Sequence, residues 1–505
     1  MLIFETILIL LFTATVLSAL AKRISIPYPT ILALGGALLA FVPGAPQLDL
    51  PPQLILALFV APVLLDAAYD TSLRDLRNNW APIFSLVLAA VGLTTAAVAF
   101  AAQHMIPDLP LAAAIALGAL VAPPDAVAAL AILGQVNPPH RIRKILEGES
   151  LLNDASSLLI YKLAVGAVVA GSFSMEGAVP TFALVIFGSV ALGWFAAWPV
   201  GLLIRRIEDA PTSVIFQFVI TFGVWLVAER LGLSAVVAIV VFGLTMARHN
   251  TLPTHLRVSS FAIWESVIFV LNVLAFTLIG LQMRPVLDAL DGSGPHLLEA
   301  ALIILGVVIA VRLVWVMIYA FVRRQLARFR ASASLPTPKG ALVVGWSGMR
   351  GIVTLAAAMA LPADFPYRDF MQLTAFVVVL GTLLLHGLTL RPLLMLLRLP
   401  KDTIVETEAR TARKAALKAA MAELESDSTD AAHRLRLQYK EALSRARNGE
   451  DPRDTADNAL RRKAVAVSRH AIHDLRRSGA IGDDAYRLVE EELDWVEMSV
   501  RPTKP

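Results

Sequence analysis

The stretch "ALVAPPDAVAAL" at residues 119–130 interrupts a long apolar run with two prolines and an aspartate. Consecutive prolines remove two helix donors and clash with the preceding turn, so the sequence predicts a broken helix at Pro123 and Pro124. A second break is predicted in "VVGWSGMRGIVTLAAA" at residues 343–358, where glycines surround Arg350.

The segments around these two breaks are mostly apolar. The chain has 57% hydrophobic and 17% charged residues and a mean hydropathy of +0.68, and residues 1–400 consist of runs near the roughly 20-residue length that crosses a bilayer. We therefore predict an all-α polytopic membrane protein with about 13 transmembrane helices. The predicted spans are 2–20, 28–43, 53–70, 81–102, 110–133, 145–171, 180–204, 213–231, 234–247, 261–283, 297–322, 340–361 and 371–397.

Basic residues alternate between the connections of these spans, which predicts their orientation. The even-numbered connections hold only Arg230, Arg284 and Arg368. By the positive-inside rule, the N-terminus lies outside and the C-terminal region lies in the cytoplasm of a cell-membrane protein. The odd-numbered connections hold Lys22, Arg23, Arg74, Arg77, Arg141, Arg143, Lys144, Arg205, Arg206, Arg248, Arg257, Arg323, Arg324, Arg328, Arg330 and Lys339.

The two broken spans are the fifth and the twelfth, so they cross the membrane in opposite directions. Broken helices at corresponding positions of two halves are typical of transporters with inverted repeats and a binding site near the midplane. The alternative is that these prolines and glycines only kink or pack membrane helices.

The stretch "GESLLNDASS" at residues 148–157 carries the polar groups expected at such a site. Glu149 and Asn153 are four residues apart, as are Ser150 and Asp154, so all four share one helical face. Carboxylate, amide and hydroxyl oxygens are hard ligands that suit Na⁺, K⁺ or Li⁺. Because burial penalises the charged form of a carboxyl group, Asp154 can hold either a proton or a cation. The alternative is a structural, hydrogen-bonded aspartate.

The remaining charges of the membrane part also need partners, because a charge within the bilayer is costly. Asp125 is expected to satisfy the exposed helix ends at the first break or to bind an ion. Asp66 is expected to assist the site, to form an entrance or to lie at the interface. We predict a buried ion pair between Glu149 and Arg350, since a guanidinium and a carboxylate compensate each other. The sequence leaves open the partner of Arg312 and the role of Lys162.

Several motifs resemble the monovalent cation:proton antiporter family, in its bacterial Na⁺/H⁺ exchanger branch. "EGESLLNDASSLLIY" (147–161) is similar to that branch's signature, and "GWSGMRGIVTLAAAMALP" (345–362) is similar to its arginine-bearing late helix. "ERLGLSAVVAIVVFGLTMAR" (229–248) and "NVLAFTLIGLQM" (272–283) match two further stretches. The resemblance implies a homodimer with a dimerisation domain and a six-helix ion-binding core of spans 4–6 and 11–13.

The resemblance also implies roles for individual residues. Asp154 and Ser150 bind the cation or proton, Asn153 supports the site, and Glu149 pairs with Arg350. Asp66 stands where the family often has glutamate, and with Asp154 and Ser150 it would hold a transported Na⁺. The family's usual threonine-aspartate pair reads Pro124-Asp125 here, so the hydroxyl is lost while a backbone carbonyl remains.

The function expected from these observations is antiport of Na⁺, Li⁺ or K⁺ against H⁺ by alternating access. With Asn153 neutral, the single carboxylate of Asp154 would exchange one cation for one proton, and exchange would be electroneutral. The alternatives are a K⁺/H⁺ antiporter and, from other classes, a cation channel or an intramembrane enzyme. No metalloprotease, P-loop or nucleophile-elbow motif occurs, so no enzyme is expected. The basic residues cluster in short loops as the positive-inside rule requires, so no nucleic-acid partner is expected, and no cofactor is expected beyond the transported ions.

Residues 401–505 differ in composition from the membrane part, because they hold 20 of the 44 Lys and Arg and 20 of the 40 Asp and Glu. We predict a transmembrane antiporter domain at 1–400 and a cytoplasmic helical domain at 401–505. Helices are expected at 405–447 and 455–497, with a further break at 478–484 where Asp483 or Asp484 caps the last helix. A regulatory role and a stabilising or dimer-supporting role are both left open.

Overall fold

The computed structural model describes residues 2–24, 26–42, 51–136, 138–170, 175–249, 254–288, 294–327, 337–400 and 402–502. The basic residues Arg328 and Arg330 lie outside these ranges. Two compact units divide the chain, Met1–Lys401 and Asp402–Pro505. Within the described ranges every regular element is helical, which confirms the predicted all-α class.

The first unit contains nineteen described α-helices and two short π-helical segments. The π-helical segment Leu56–Val60 joins α3 to α4, and Ser85–Ala90 joins α6 to α7. The helices are α1 Leu2–Ile24, α2 Tyr28–Leu39, α3 Pro52–Ile55, α4 Ala61–Asp70, α5 Leu73–Asn78, α6 Trp80–Phe84, α7 Val91–Met105, α8 Leu111–Val121, α9 Ala126–Val136, α10 His140–Ala170, α11 Met175–Ile204, α12 Ala210–Arg230, α13 Ala235–His249, α14 Thr254–Leu281, α15 Met283–Asp288, α16 Gly294–Ala327, α17 Pro338–Trp346, α18 Ile352–Met359 and α19 Arg368–Leu397.

Nine helical segments of the described chain are long and apolar enough to cross a membrane. Three shorter apolar helices, within α1, α2 and α13, accompany them. The short helices α17 and α18 correspond to the predicted twelfth span, with α17 beginning two residues earlier than predicted. The multi-spanning helical architecture is therefore confirmed, while the count of thirteen spans stays a prediction.

The helices of the first unit pack in two groups. In one group, α7 packs on α8 and α16, α10 packs on α8, and α19 packs on α16 and α18. In the other, α2 packs on α14, and α13 packs on α4, α11 and α12. Helices α2 and α14 approach closely at Gly36, where an added Cβ would lie 2.2 Å from the Thr277 carbonyl oxygen. Small residues permit such contacts between membrane helices.

Both predicted helix breaks are present. Helix α8 ends at Val121 and α9 begins at Ala126, while α17 ends at Trp346 and α18 begins at Ile352. The two breaks touch, because the backbone N–H of Asp125 donates to the Met349 carbonyl oxygen at 2.7 Å. Four helix ends therefore meet in one region of the first unit. That the two halves are inverted repeats stays a prediction.

The second unit contains four described helices, in which α20 packs on α21 and α22 packs on α23. Their bounds are α20 Ile404–Glu425, α21 Asp430–Asn448, α22 Ala456–Arg477 and α23 Asp483–Val500.

The sequence analysis predicted a helix over 405–447, and this prediction is wrong because the segment forms the two helices α20 and α21. Thr429 forms the N-cap of α21, and its hydroxyl accepts from the Ala432 N–H at 3.2 Å. The helix is interrupted at 426–429, which reads Ser-Asp-Ser-Thr. Side chains of these types compete with helical carbonyl groups for the backbone N–H donors. The N-cap of α23 is Gly482, without a side-chain cap, so the predicted capping by Asp483 or Asp484 is also wrong.

Candidate ion-binding site

A cavity of about 440 Å³ lies beside the meeting point of the two breaks. It extends to the exposed side chain of Arg143. Its lining brings together four of the predicted site residues, which are Asp66, Asp125, Ser150 and Asp154. Three carboxylates and a hydroxyl from α4, α10 and the first break thus share one space.

Asn153 ties α10 to the first break. Its side chain is fully buried, and Nδ2 donates to the Pro124 carbonyl oxygen at 2.7 Å. The second polar atom of the amide, Oδ1, is buried without a hydrogen-bond partner among the described residues. A buried carbonyl oxygen without a donor costs free energy unless some group satisfies it.

Asp125 serves as a cap for the second half of the broken helix. Its Oδ1 accepts from the backbone N–H of Val127 at 2.8 Å, at the positive end of the α9 dipole. The nearby N–H of Ala126 donates to Ser150 Oγ at 3.4 Å, which is a long hydrogen bond. The structural role predicted for Asp125 is present, and the same carboxylate also lines the cavity.

Gly351 allows Asp125 to lie close to the second break. A Cβ at this position would lie 1.9 Å from Asp125 Oδ2, so any larger residue would displace the carboxylate. Gly351 is the residue just before α18. The carboxylate of Asp125 therefore lies near the N-terminal ends of both α9 and α18.

The partner of Glu149 differs from the prediction. Arg312 Nη1 and Nη2 donate to Glu149 Oε1 and Oε2 at 2.5 and 2.9 Å, so the pair is bidentate, and both side chains are buried. Arg312 also donates to the carbonyl oxygens of Val344 and Gly345, at 3.1 and 3.2 Å, in the last turn of α17. The predicted pair of Glu149 with Arg350 is thus wrong.

The physical reason is that Arg350 is used elsewhere. Its Nε donates to the Val121 carbonyl oxygen at 2.7 Å and its Nη1 to the Gly348 carbonyl oxygen at 2.6 Å. Its backbone N–H donates to Thr382 Oγ1 at 3.0 Å. Arg350 therefore places its positive charge at the C-terminal end of α8, where unpaired carbonyls are exposed by the break.

Several polar residues that line the cavity were not predicted as site residues from the sequence, among them Asp70 of α4 and Glu147 of α10. Asn272 of α14 and Thr354 of α18 both line the cavity. The signal for Asn272 was its isolation in the apolar stretch "SVIFVLNVLAF" at 266–276. Lys162, by contrast, is exposed.

His386 is also buried in this unit, with 1% of its surface exposed. Its ring lies 4.8 Å from that of Trp346 between centroids, and neither ring nitrogen has a hydrogen-bond partner among the described residues. His386 is therefore a packed side chain of this unit, in contact with Trp346.

Comparisons with known proteins agree with this architecture. The family model described as "Sodium/hydrogen exchanger, transmembrane" matches residues 7–396. A sodium, potassium, lithium and rubidium/H(+) antiporter of Bacillus pumilus is 30% identical over 471 residues, which cover 88% of this chain and 69% of that protein. The low-affinity Na(+)/H(+) antiporter NhaS1 of Synechocystis sp. is 30% identical over 452 residues, covering 87% and 84%.

A solved structure is similar in fold. The sodium proton antiporter MjNhaP1 from Methanocaldococcus jannaschii superposes with a TM-score of 0.62 at 16% sequence identity, over 79% of this chain and 99% of that one. At this level of identity the similarity shows a shared fold.

Proposed function

Since this chain belongs to the sodium/hydrogen exchanger family, we propose that it exchanges a monovalent cation for protons across a membrane at Asp154. The family consists of transporters, so the chain is not an enzyme. The observation that carries the proposal is the cavity in which Asp154, Ser150 and Asp125 lie beside two broken helices. This is the arrangement by which transporters build ion sites away from lipid.

The proposed cation ligands are oxygen atoms of the cavity and its wall. Asp154, Ser150 and Asp66 supply carboxylate and hydroxyl oxygens for a dehydrated Na⁺, which prefers hard ligands. Pro124 contributes through its carbonyl oxygen, which accepts from Asn153 and keeps a second lone pair. The unpartnered Oδ1 of Asn153 supports the same assignment, because it is an oxygen in need of a positive partner.

Exchange follows from competition at one carboxylate. A proton neutralises Asp154 and a cation requires it charged, so each expels the other. Asn153 has no charge to contribute, and Asp125 is engaged as a helix cap. We therefore propose that one cation is exchanged for one proton and that transport is electroneutral.

The organisation of the molecule is proposed on the charge pattern and the resemblance. Residues 1–400 form the antiporter domain, which dimerises, and residues 401–505 form a cytoplasmic domain, with the N-terminus outside. The cavity then faces the cytoplasm, since Arg143 and Lys144 lie in a basic connection and line it. No cofactor is assigned to transport.

The experiment is proton efflux in everted vesicles of an antiporter-deficient bacterium. Na⁺, K⁺, Li⁺ and Rb⁺ are added separately to wild type, Asp154→Asn and the control Asp108→Asn, whose side chain is exposed in a loop. We expect wild type and the control to collapse the pH gradient with at least one cation, and Asp154→Asn to be inactive with all four at equal membrane content. Exchange by Asp154→Asn would refute the assignment of the site.

Charge balance is tested separately in proteoliposomes. The exchange rate of the purified chain is measured while a K⁺ diffusion potential of 0 or about −100 mV is imposed with valinomycin, using Na⁺ as the exchanged cation. A step that moves one net charge would gain roughly 2.3 kcal/mol at this potential. We expect equal rates, and a rate that follows the potential would rule out one-for-one exchange.

A further inference from the structure

The wall that the second break contributes to the ion-binding cavity carries a single side-chain oxygen. Gly351, Ile352, Val353 and Thr354 line the cavity from this side. Among these four described residues only Thr354 has an oxygen in its side chain, and the residue is buried, with 2% of its surface exposed. The cation ligands proposed for this cavity lie on α4, α10 and the first break, so none of them comes from α18.

The hydroxyl of Thr354 has no partner in its own helix. Buried threonines elsewhere in this unit donate to the carbonyl oxygen four residues earlier, as Thr221, Thr277 and Thr382 do at 2.6, 2.8 and 2.7 Å. Thr354 lies in the first turn of α18, so the residue four positions earlier belongs to the break. The hydroxyl makes no hydrogen bond with any residue that the structure describes. It is therefore available to a ligand in the cavity that Thr354 lines.

Two contacts place the first turn of α18 beside the middle of α10. Val353 packs against the hydrophobic cluster that contains Leu151. Farther along both helices, the Tyr161 hydroxyl donates to the Ala357 carbonyl oxygen at 2.7 Å. Asp154 on α10 and the residue after Val353 on α18 both lie between these contacts, so the two cavity residues belong to the same stretch of packed helices.

The beginning of α18 would repel a cation unless its charge were balanced. Its N-cap, Gly351, provides no side-chain cap, so the positive end of the helix dipole is open to the cavity. The carboxylate of Asp125 lies against Gly351 and offsets this charge. The hydroxyl of Thr354 is neutral and has two acceptor lone pairs. It therefore adds an oxygen ligand on this side without adding a charge, as the exchange of one cation for one proton requires.

We propose that the Thr354 hydroxyl oxygen is a ligand of the transported cation, so that both helix breaks take part in its coordination. The first break supplies the carbonyl oxygen of Pro124, and the second break supplies this hydroxyl. A cation that gives up its water needs protein oxygens in place of its hydration shell. The proposal rests on the proposed exchange at Asp154 and adds a residue to that site.

The test compares KM and the maximal rate of Na⁺/H⁺ exchange in proteoliposomes at one pH. Wild type, Thr354→Val and Thr354→Ser are measured beside Asp154→Asn. Valine keeps the shape of threonine without the oxygen, and serine keeps the oxygen. We expect Thr354→Val to raise the KM for Na⁺ about tenfold at a similar maximal rate, the effect of losing one polar contact to a charged group. Thr354→Ser should recover most of the affinity.

The matched control is Thr221→Val, which removes a buried hydroxyl that donates within its own helix and does not line the cavity. It should keep the wild-type KM. All variants are compared at equal protein content and with their thermal midpoints. Thr354→Ala, which also lacks the hydroxyl, takes the place of the valine variant if that variant does not fold.

A second measurement separates a cation ligand from a group that acts on a carboxylate. The rise in KM of Thr354→Val should be larger for the smaller of two cations that wild type exchanges, because the attraction between an ion and an oxygen falls with distance. An equal rise for both cations would mean that the hydroxyl acts on a carboxylate, and it would overturn the proposal.

The remaining outcomes distinguish this proposal from the proposed function. A wild-type KM in Thr354→Val, with Asp154→Asn inactive, would refute the role of Thr354 and leave exchange at Asp154 standing. A lower maximal rate at unchanged KM in both Thr354 variants would assign the side chain to packing and also refute the proposal. If wild type exchanges no cation, the proposed function fails and this ligand fails with it.

Discussion

Arg312 and Glu149 lie 163 positions apart and form a buried, two-point ion pair that joins α16 to α10. The same guanidinium donates to two carbonyl oxygens in the last turn of α17. One side chain thus fixes a helix of the ion-binding cavity against the second helix break. Asp154, five residues after Glu149 on α10, is positioned by this connection.

Removing either member of the pair should destabilise the protein, because the partner keeps an uncompensated buried charge. Glu149→Gln and Arg312→Gln should each lower the free energy of unfolding by about 3–5 kcal/mol, and the double variant should lose less than the sum. The measurement is a double-mutant cycle on the purified chain in detergent, read by thermal unfolding.

The matched control is the same cycle with Arg350, which the sequence suggested as the partner. Arg350 is equally buried but donates to backbone carbonyls. We expect a coupling of about 1–3 kcal/mol for Glu149 with Arg312 and a smaller one for Glu149 with Arg350. The reverse order would mean that Arg350 is the functional partner.

The helix breaks were predictable from the sequence because their causes are local. Pro123 and Pro124 cannot continue a helix, and the glycines around Arg350 weaken one, whatever surrounds them. The grouping of Ser150 and Asp154 on one face of α10 was predictable for the same reason, since helical periodicity determines it.

The partner of Glu149 was not predictable because it depends on which helix packs beside α10. Two buried arginines, at 312 and 350, were chemically equivalent candidates. The choice depends on space as well: a Cβ at Gly348 would lie 2.4 Å from Cδ and Nε of Arg312, so this glycine makes room for the arginine. Such a contact across distant segments leaves no pattern in either one.

Adding one methyl group at Gly351 should impair cation exchange. In Gly351→Ala, the Cβ would meet Asp125 Oδ2 and force the carboxylate from its position at α9 and α18. We expect at least a tenfold loss in kcat/KM for cation exchange in vesicles. In the control Gly134→Ala, in α9, the added Cβ would have no neighbour within 4 Å, so exchange should stay at the wild-type rate. Equal activity of the two variants would refute the role given to this contact.

Exchange should depend on the hydrogen bond that the Asn153 side-chain amide donates, more than on the size of that side chain. Asn153→Asp replaces the N–H₂ group that donates to the Pro124 carbonyl oxygen with an acceptor, and it adds a second charge next to Asp154. Loss of this buried hydrogen bond costs about 1–3 kcal/mol, so exchange should fall about tenfold or more.

A serine on the same helix provides the comparison. Ser156 Oγ donates to the carbonyl oxygens of Asn153 and Val87, at 2.9 and 3.0 Å, and does not line the cavity. Ser156→Ala should lower the thermal midpoint slightly and leave the exchange rate unchanged. A similar loss of exchange in Ser156→Ala and Asn153→Asp would point to general destabilisation of α10.

Protons and cations should compete in a defined direction. Lowering the pH on the side of the cavity protonates Asp154 and removes the charge that binds the cation. The KM for Na⁺ should therefore rise as the pH falls, by up to about tenfold per pH unit. The maximal rate at saturating Na⁺ should be the same at every pH. Initial rates at several Na⁺ concentrations and pH values test this, and a pH effect on the maximal rate alone would contradict simple competition.

Asp66 should affect cation binding more than turnover. It lies on α4, half-buried, in the cavity that also contains Asp154 and Asp125. Asp66→Asn keeps the size but removes one negative ligand, so the KM for Na⁺ should rise about tenfold, the effect of roughly 1.4 kcal/mol, at a similar maximal rate. Asp66→Glu should retain most of the affinity, and Asp364→Asn, an exposed aspartate outside the cavity, should have no effect. If Asp66→Asn has wild-type KM, then Asp66 is an interfacial charge and the cation is held by Asp154 and Ser150 without it.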